Sequence, residues 1–143
     1  MTDITRRNLG RLALASGAFV SPAALGQGAN PIRIGYAMSL SGGLAANGRS
    51  SLLAHKIWQE DVNARGGILG RPVELVFYDD QTNPGTVPAL YTKLIDVDRV
   101  DIVTSPYATV MIAPSMPVIM QRRMTYVSLF GAGVNEAFKY DRY

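Results

Sequence analysis

Short apolar runs alternate along residues 32–129 with segments in which apolar residues recur every three or four positions. Runs of the first kind predict strands, and segments of the second kind predict helices. The predicted strands span 32–38, 73–78, 101–104 and 124–129, and the predicted helices run from about 48 to 64, from about 85 past 94, and from the loop 105–109 to about 122. This order predicts an α/β protein with a parallel, doubly wound sheet that carries helices on both faces.

The first two helical patterns also predict which face of each helix packs against the sheet. The apolar positions are Ala54, Ile57, Trp58 and Val62 in the first helix, and Val87, Leu90, Tyr91 and Leu94 in the second. Gly66 and Gly67 are expected to end the first helix, because helices often end in a left-handed backbone conformation that glycine adopts easily.

Loops rich in glycine and hydroxyl groups follow three of the predicted strands. They span residues 39–43, 105–109 and 130–133. In open parallel sheets, ligands bind in the crevice outside the carboxyl ends of the strands, where the strand order reverses. The sequence therefore predicts a binding site in these loops.

The amino-terminal residues have the pattern of a removable export signal. Arg6 and Arg7 precede the apolar stretch 12–20, which is too short to span a bilayer, and the small residues Ala24 and Gly26 follow it. The paired arginines indicate twin-arginine export and a periplasmic location. We expect residues 1–26 to be the signal and residues 27–143 to be the mature part of the chain. A buried amphipathic first helix is the alternative.

Composition narrows the function further. The net charge is +3, but the predicted signal holds three of the 14 basic residues and one of the 11 acidic ones, so the remainder is nearly neutral. A nucleic-acid partner is not predicted, because that would need a clustered stripe of basic residues. The chain has no cysteine, which excludes a thiol enzyme or a cysteine-ligated metal, and the single histidine, His55, is expected at the surface. We predict no cofactor.

Three other patterns favour ordinary structural roles. Residues 43–50 nearly match a phosphate-binding loop, but Arg49 stands where that motif needs a lysine. Asp79 and Asp80 could form a carboxylate or metal pair, although a solvated strand end before an Asn-Pro turn is the better interpretation. The spacing of Met111, Met116, Met120 and Met124 is typical of core packing and not of a soft-metal site.

The chain resembles the periplasmic substrate-binding proteins of ABC importers of the branched-chain amino-acid (Leu/Ile/Val-binding) type. The resemblance rests on the order of several motifs and extends to the end of the chain. The motifs are residues 31–35, 39–42, 61–73, 78–84 and 103–107. It implies a type I periplasmic binding fold, of which this chain would be an incomplete N-terminal lobe, a fragment without the second lobe.

The resemblance also implies the ligand-contacting positions. In that family the loop after the third strand clamps a ligand carboxylate, and the matching residues here are Tyr107, Ala108 and Thr109. Thr109 is the first choice, since a hydroxyl and the amides at a helix start both donate to an anion. In that family the loop after the fourth strand offers backbone carbonyls and a hydroxyl near a ligand amino group. The corresponding loop here, residues 129–133, departs from this pattern because no hydroxyl follows Ser128. Phe130 and Gly131 are its candidate contacts, and a ring or apolar body would suit the site. Ser39 and Ser41 are further candidates on the rim of the site.

The implied function is that of a non-enzymatic receptor for amino acids or related small organic acids and amides. Its partners would be the small-molecule solute and an ABC permease in the inner membrane. Two alternatives remain. One is an extracytoplasmic ligand-sensing domain of the same fold. The other is an exported α/β hydrolase, for which the sequence offers no G-x-S-x-G motif.

Overall fold

The structure is a computed structural model that describes residues 30–143. The predicted export signal, residues 1–26, lies outside the described residues. Among the described residues, no helix combines the length and the apolar character that crossing a membrane requires.

The described residues form four strands and five α-helices in the predicted alternation. The strands are β1 (Ile32–Met38), β2 (Val73–Asp79), β3 (Ile102–Thr104) and β4 (Tyr126–Val127). The helices are α1 (Ala45–Ala64), α2 (Val87–Thr92), α3 (Thr109–Ile112), α4 (Met116–Gln121) and α5 (Val134–Phe138). A π-helical turn, Lys93–Val97, extends α2, and a 3₁₀ turn, Ala113–Ser115, joins α3 to α4.

All strand pairs are parallel, and the strand order is β2-β1-β3-β4. The chain thus moves from β1 to one side and then crosses back to the other side. The order reverses between β1 and β3, so the crevice where ligands bind in such sheets lies between the loops that follow these two strands. This confirms the predicted α/β class and parallel sheet.

Helices cover both faces of the sheet, each over a core of its own. Successive side chains of a strand point to opposite faces. On one face, Ile32, Ile34 and Val73 pack with Val62 of α1. On the other face lies a larger cluster to which α2, α3 and α4 contribute; its members from these helices and their extensions are Val87, Tyr91, Leu94, Met111, Ile112, Met116 and Ile119.

The predicted apolar face of α1 is wrong in all but one position. Val62 is buried, but Ala54 is exposed, and Ile57 and Trp58 keep 54% and 40% of their surface accessible. The other buried residues of α1 are Gly48 and Ser51. The reason is steric, because a Cβ on Gly48 would lie 1.9 Å from the carbonyl oxygen of Ser39. Small residues, not apolar ones, let the first half of α1 approach the sheet.

The second helix has the predicted face, whereas the third predicted helix is broken into pieces. Val87, Tyr91 and Leu94 are fully buried. Residues 109–121 form α3, the 3₁₀ turn and α4 in succession, because Pro114 and Pro117 lack the N–H that a continuous helix uses. The fourth strand is also shorter than predicted.

Gly66 and Gly67 end α1 as predicted. Their φ values are +96° and +77°, the left-handed region that glycine enters without strain. At Gly67 a side chain is also excluded by space, because a Cβ would lie 1.9 Å from the carbonyl oxygen of Arg71.

Candidate functional site

The loops that follow the strands meet at the carboxyl edge of the sheet. The loops after β1 and β3 flank the reversal of strand order, and the loop after β4 lies beside that of β3. Two aromatic rings face each other across the last two loops. The ring centroids of Tyr107 and Phe130 are 5.3 Å apart with an interplanar angle of 41°. Both side chains are half-buried, so the pair forms an apolar platform that is open to a ligand.

Two hydrogen bonds tie the loops after β3 and β4 together. The amide of Leu129 donates to the Ser105 hydroxyl oxygen at 3.0 Å, and the amide of Ala132 donates to Oγ1 of Thr109 at 3.3 Å. Ser105 is fully buried, whereas Thr109 is exposed. The Thr109 oxygen therefore accepts a bond from the protein, while its hydrogen has no acceptor among the described residues and can donate to a ligand. Ser105 was missed by the sequence analysis.

Ala108 has an unusual backbone conformation, with φ +75° and ψ +145°. This region is nearly restricted to glycine, and strain of this kind clusters at functional sites. The strained residue turns its carbonyl oxygen to accept bonds from the amides of Met111 and Ile112, at 2.9 and 3.1 Å. The conformation thus starts α3 two residues after Tyr107, with Thr109 at its first position.

Gly131 lies against α3, where space is short. A Cβ on Gly131 would be 2.4 Å from Cδ1 of Ile112. The absence of a side chain therefore lets the loop after β4 lie close to α3 and brings Phe130 next to Tyr107.

The hydroxyls of Ser39 and Ser41 are hydrogen-bonded to the two carboxylates at the carboxyl end of β2. Ser39 Oγ donates to Oδ1 of Asp80 at 2.6 Å, and Ser41 Oγ donates to Oδ2 of Asp79 at 2.7 Å. Ser39 is fully buried. The two serines fix the loop after β1, and the placement of Ser39 offers no surface to a ligand.

Asp79 holds the loop after β1 in place through several hydrogen bonds. Its Oδ1 accepts from the amides of Leu40, Ser41 and Gln81 at 2.9, 3.2 and 2.8 Å. Burial alone would raise the pKa of Asp79, but the hydrogen bonds from the Ser41 hydroxyl and from these amides outweigh it and lower the pKa.

Asp80 corrects the prediction of a solvated strand end, because it is fully buried. Its Oδ1 accepts bonds from Ser39 and from the Thr82 amide, whereas Oδ2 has no partner among the described residues. Burial raises the pKa of Asp80, although these two hydrogen bonds oppose the rise. Asp80 is a buried tie between the loops after β1 and β2.

The substitution Asp80→Asn is expected to make stability less sensitive to pH. Because the folded protein holds the Asp80 proton more tightly than the unfolded chain does, this group stabilises most in acid, and its contribution falls as the pH rises through its raised pKa. We expect the free energy of unfolding of D80N, relative to wild type, to increase between about pH 4 and about pH 7. Urea unfolding of wild type and D80N at both pH values measures this difference in the free energy of unfolding.

The companion variant Asp80→Ala provides the contrast. It leaves the Ser39 hydroxyl and the Thr82 amide without an acceptor, which costs about 2 kcal/mol. A stability difference between D80N and wild type that stays constant with pH would contradict the buried, proton-binding role of Asp80.

The remaining sequence alternatives have structural explanations. Residues 45–50 are helical, so the near-match to a phosphate loop forms no loop there. Within residues 30–143, no group of three or more His, Cys, Asp or Glu side chains is arranged to hold a metal ion. Met111 and Met116 are fully buried in the core, as predicted. His55 differs from its prediction, because it is half-buried and stacks on Tyr36 at 4.8 Å.

Asn47, in the first turn of α1, is a second residue that the sequence analysis missed. Its Nδ2 donates to the hydroxyl oxygen of Tyr107 at 2.8 Å, although the two residues are 60 positions apart. This bond crosses from the β1 side of the crevice to the β3 side. The sequence offered one indication of this contact, namely that Asn47 lies shortly after the loop that follows β1.

Several solved structures share the fold of this chain. The branched-chain amino acid transporter substrate binding protein LivJ from Streptococcus pneumoniae, in complex with isoleucine, is 24% identical with a TM-score of 0.73, over 78% of this chain and 32% of that one. A solute binding protein of an ABC transporter from Rhodopseudomonas palustris, in complex with 3,4-dihydroxy benzoic acid, is 20% identical with a TM-score of 0.69, over 77% and 30%. A fatty acid ABC transporter substrate-binding protein from Thermomonospora curvata is 28% identical with a TM-score of 0.63, over 69% and 25%.

The chain therefore spans a quarter to a third of the length of these solved proteins. Its fold matches the corresponding part of the type I periplasmic binding fold. The sequence profile of the periplasmic binding proteins matches residues 31–143, which is nearly every described residue. This chain belongs to the periplasmic binding protein family.

Proposed function

We propose that the natural protein is the solute receptor of an ABC importer and that its solute binds in the crevice between the loops after β1 and β3. The observation that carries this proposal is the half-buried pair of Tyr107 and Phe130 beside the free hydroxyl donor of Thr109. An apolar surface with one convergent polar group is typical of a small-molecule site. Family membership supports the receptor role, since the matching family is that of periplasmic binding proteins.

The solute is an amino acid or a related small organic acid or amide with a ring or an apolar body. The body packs against the two rings, and an acceptor oxygen takes the bond from Thr109. Residues 129–133, after β4, carry no hydroxyl that could receive an amino group. This favours an acid with an aromatic or aliphatic body, and the 3,4-dihydroxy benzoic acid bound by the protein from Rhodopseudomonas palustris is of that kind.

The mechanism follows from the rigid construction of the loops. Asp79 and Asp80 hold the loop after β1, and the bonds from Leu129 and Ala132 hold the loops after β3 and β4. Loops that are already ordered lose little entropy when a solute binds. A second lobe of the natural protein closes over the solute, and the closed form docks on an ABC permease of the inner membrane.

The proposed cellular route completes this function. The twin-arginine signal, residues 1–26, directs the protein to the periplasm and is removed. Residues 27–143 then form the first part of the N-terminal lobe.

A thermal-shift screen of the natural protein tests the proposal. We expect amino acids, aromatic acids or their amides to raise the melting temperature, because a ligand that binds only the folded state stabilises it. Recovery of the solute unchanged after incubation is also expected. Stabilisation by none of these classes, or conversion of the solute into a product, would contradict the receptor function.

A further inference from the structure

The hydrogen bond between Asn47 and Tyr107 joins two elements that meet where the strand order reverses. Asn47 belongs to the first turn of α1, and Tyr107 belongs to the loop after β3. The donor–acceptor distance of 2.8 Å is that of a well-formed bond. It links the two sides of the crevice in which we place the solute.

The chemistry of the two groups fixes what Tyr107 can still do. The Nδ2 of an asparagine only donates, so the phenolic oxygen is the acceptor in this bond. A phenol has one hydrogen of its own, and Tyr107 donates it to no group among the described residues. The Tyr107 hydroxyl therefore retains a donor, on a ring that packs against the ring of Phe130.

The position of Asn47 is set by backbone packing. Gly48, the next residue, is buried against the backbone of Ser39, and Arg49 Nε donates to the carbonyl oxygen of Leu40 at 2.9 Å. Leu44, just before the helix, donates its amide to Thr82 Oγ1 at 3.1 Å. The start of α1 is therefore fixed by contacts that do not involve Tyr107, and the exposed side chain of Asn47 reaches the phenol from there.

We propose that Asn47 is a positioning residue that holds the Tyr107 hydroxyl as a hydrogen-bond donor to the solute. The solute then carries an acceptor oxygen close to the part that packs on the rings, and solutes with a ring but no such acceptor bind more weakly. This inference rests on the proposed function, because it needs the solute to lie in the crevice.

The binding test uses the natural protein and two probes. Benzoate carries a ring and an acceptor carboxylate, whereas benzylamine carries the ring without an acceptor oxygen. Calorimetry compares wild type with Asn47→Ala, Tyr107→Phe and the double variant. The matched control is Ser50→Ala, one turn along α1, where the exposed hydroxyl donates to the carbonyl oxygen of Ala46 and to no other group in residues 30–143.

We expect Tyr107→Phe to weaken benzoate binding about ten-fold, which is typical for one hydrogen bond to a charged group. Asn47→Ala should weaken it about three- to five-fold, and the double variant should bind no worse than Tyr107→Phe, because both act through one hydroxyl. The preference for benzoate over benzylamine should fall in all three variants and persist in S50A. Independent, additive effects of the two substitutions would overturn the positioning role.

A measurement without any solute separates the two proposals. Tyrosine rings are labelled with ¹³C, the Tyr107 signal is assigned by its loss in Tyr107→Phe, and its position is compared in wild type and Asn47→Ala. We expect the signal to shift in N47A and to stay in S50A. An unmoved signal overturns the positioning role whether or not the protein binds. A shifted signal in a protein that binds neither probe supports the positioning of the phenol and contradicts the proposed solute class.

Discussion

Replacing Gly48 with alanine is expected to destabilise the protein by about 3 kcal/mol, at the upper end of the cost of overpacking. The added Cβ would lie 1.9 Å from the carbonyl oxygen of Ser39 and 2.7 Å from its carbon. Both atoms belong to the backbone, so no rotamer change relieves the clash, and α1 must move away from the sheet. Urea unfolding of the natural protein measures the change in free energy.

Gly43→Ala is the matched control for this substitution. Gly43 lies in the same loop-to-helix region, but a Cβ there meets no atom within 4 Å, and its φ is not in the left-handed region. We expect G43A to change the free energy of unfolding by less than about 0.5 kcal/mol. Equal stabilities of G48A and G43A would contradict the conclusion that the position of α1 depends on its close approach to the loop after β1.

Removing either ring of the platform is the second large expected effect. Tyr107→Ala and Phe130→Ala should each weaken binding of the solute found by the screen at least about 30-fold, because buried aromatic anchors carry much of the free energy in a binding site. Their melting temperatures should fall little, since both side chains are half-exposed before the solute binds. Calorimetric titration of the natural protein and its variants measures the affinities.

Trp58→Ala is the control for loss of an aromatic side chain. Trp58 is 40% exposed and lies 11 residues along α1 from Asn47, a distance of about 16 Å toward the opposite edge of the sheet. We expect W58A to keep wild-type affinity. If W58A weakened binding as strongly as Y107A and F130A, the platform would have no special role in the site.

The sequence predicted the order of elements because each strand and the second helix bury apolar residues at regular intervals. Val87, Tyr91 and Leu94 follow the helical period, and all three are in the core. The face of α1 could not be predicted in this way. Its approach to the sheet depends on the missing side chain of Gly48, and a hydrophobic pattern gives no weight to an absent side chain.

Part of the candidate site could also be predicted from the sequence. Tyr107, Thr109 and Phe130 follow strands, and parallel strands bring their carboxyl ends to one edge. The contacts of Ser39 and Asn47 were not predictable, because they join residues 41 and 60 positions apart and depend on where the loops turn. The burial of Asp80 was missed for the same reason, since an acidic residue after a strand is usually solvated.

Hydrogen–deuterium exchange of the natural protein, with and without its solute, tests most directly whether the solute binds at the carboxyl edge of the sheet. If it does, peptides covering residues 39–47, 105–109 and 129–133 become protected, while the turn at residues 66–71, at the opposite edge, exchanges as before. Protection of that turn with no change in the loops after β3 and β4 would contradict the account.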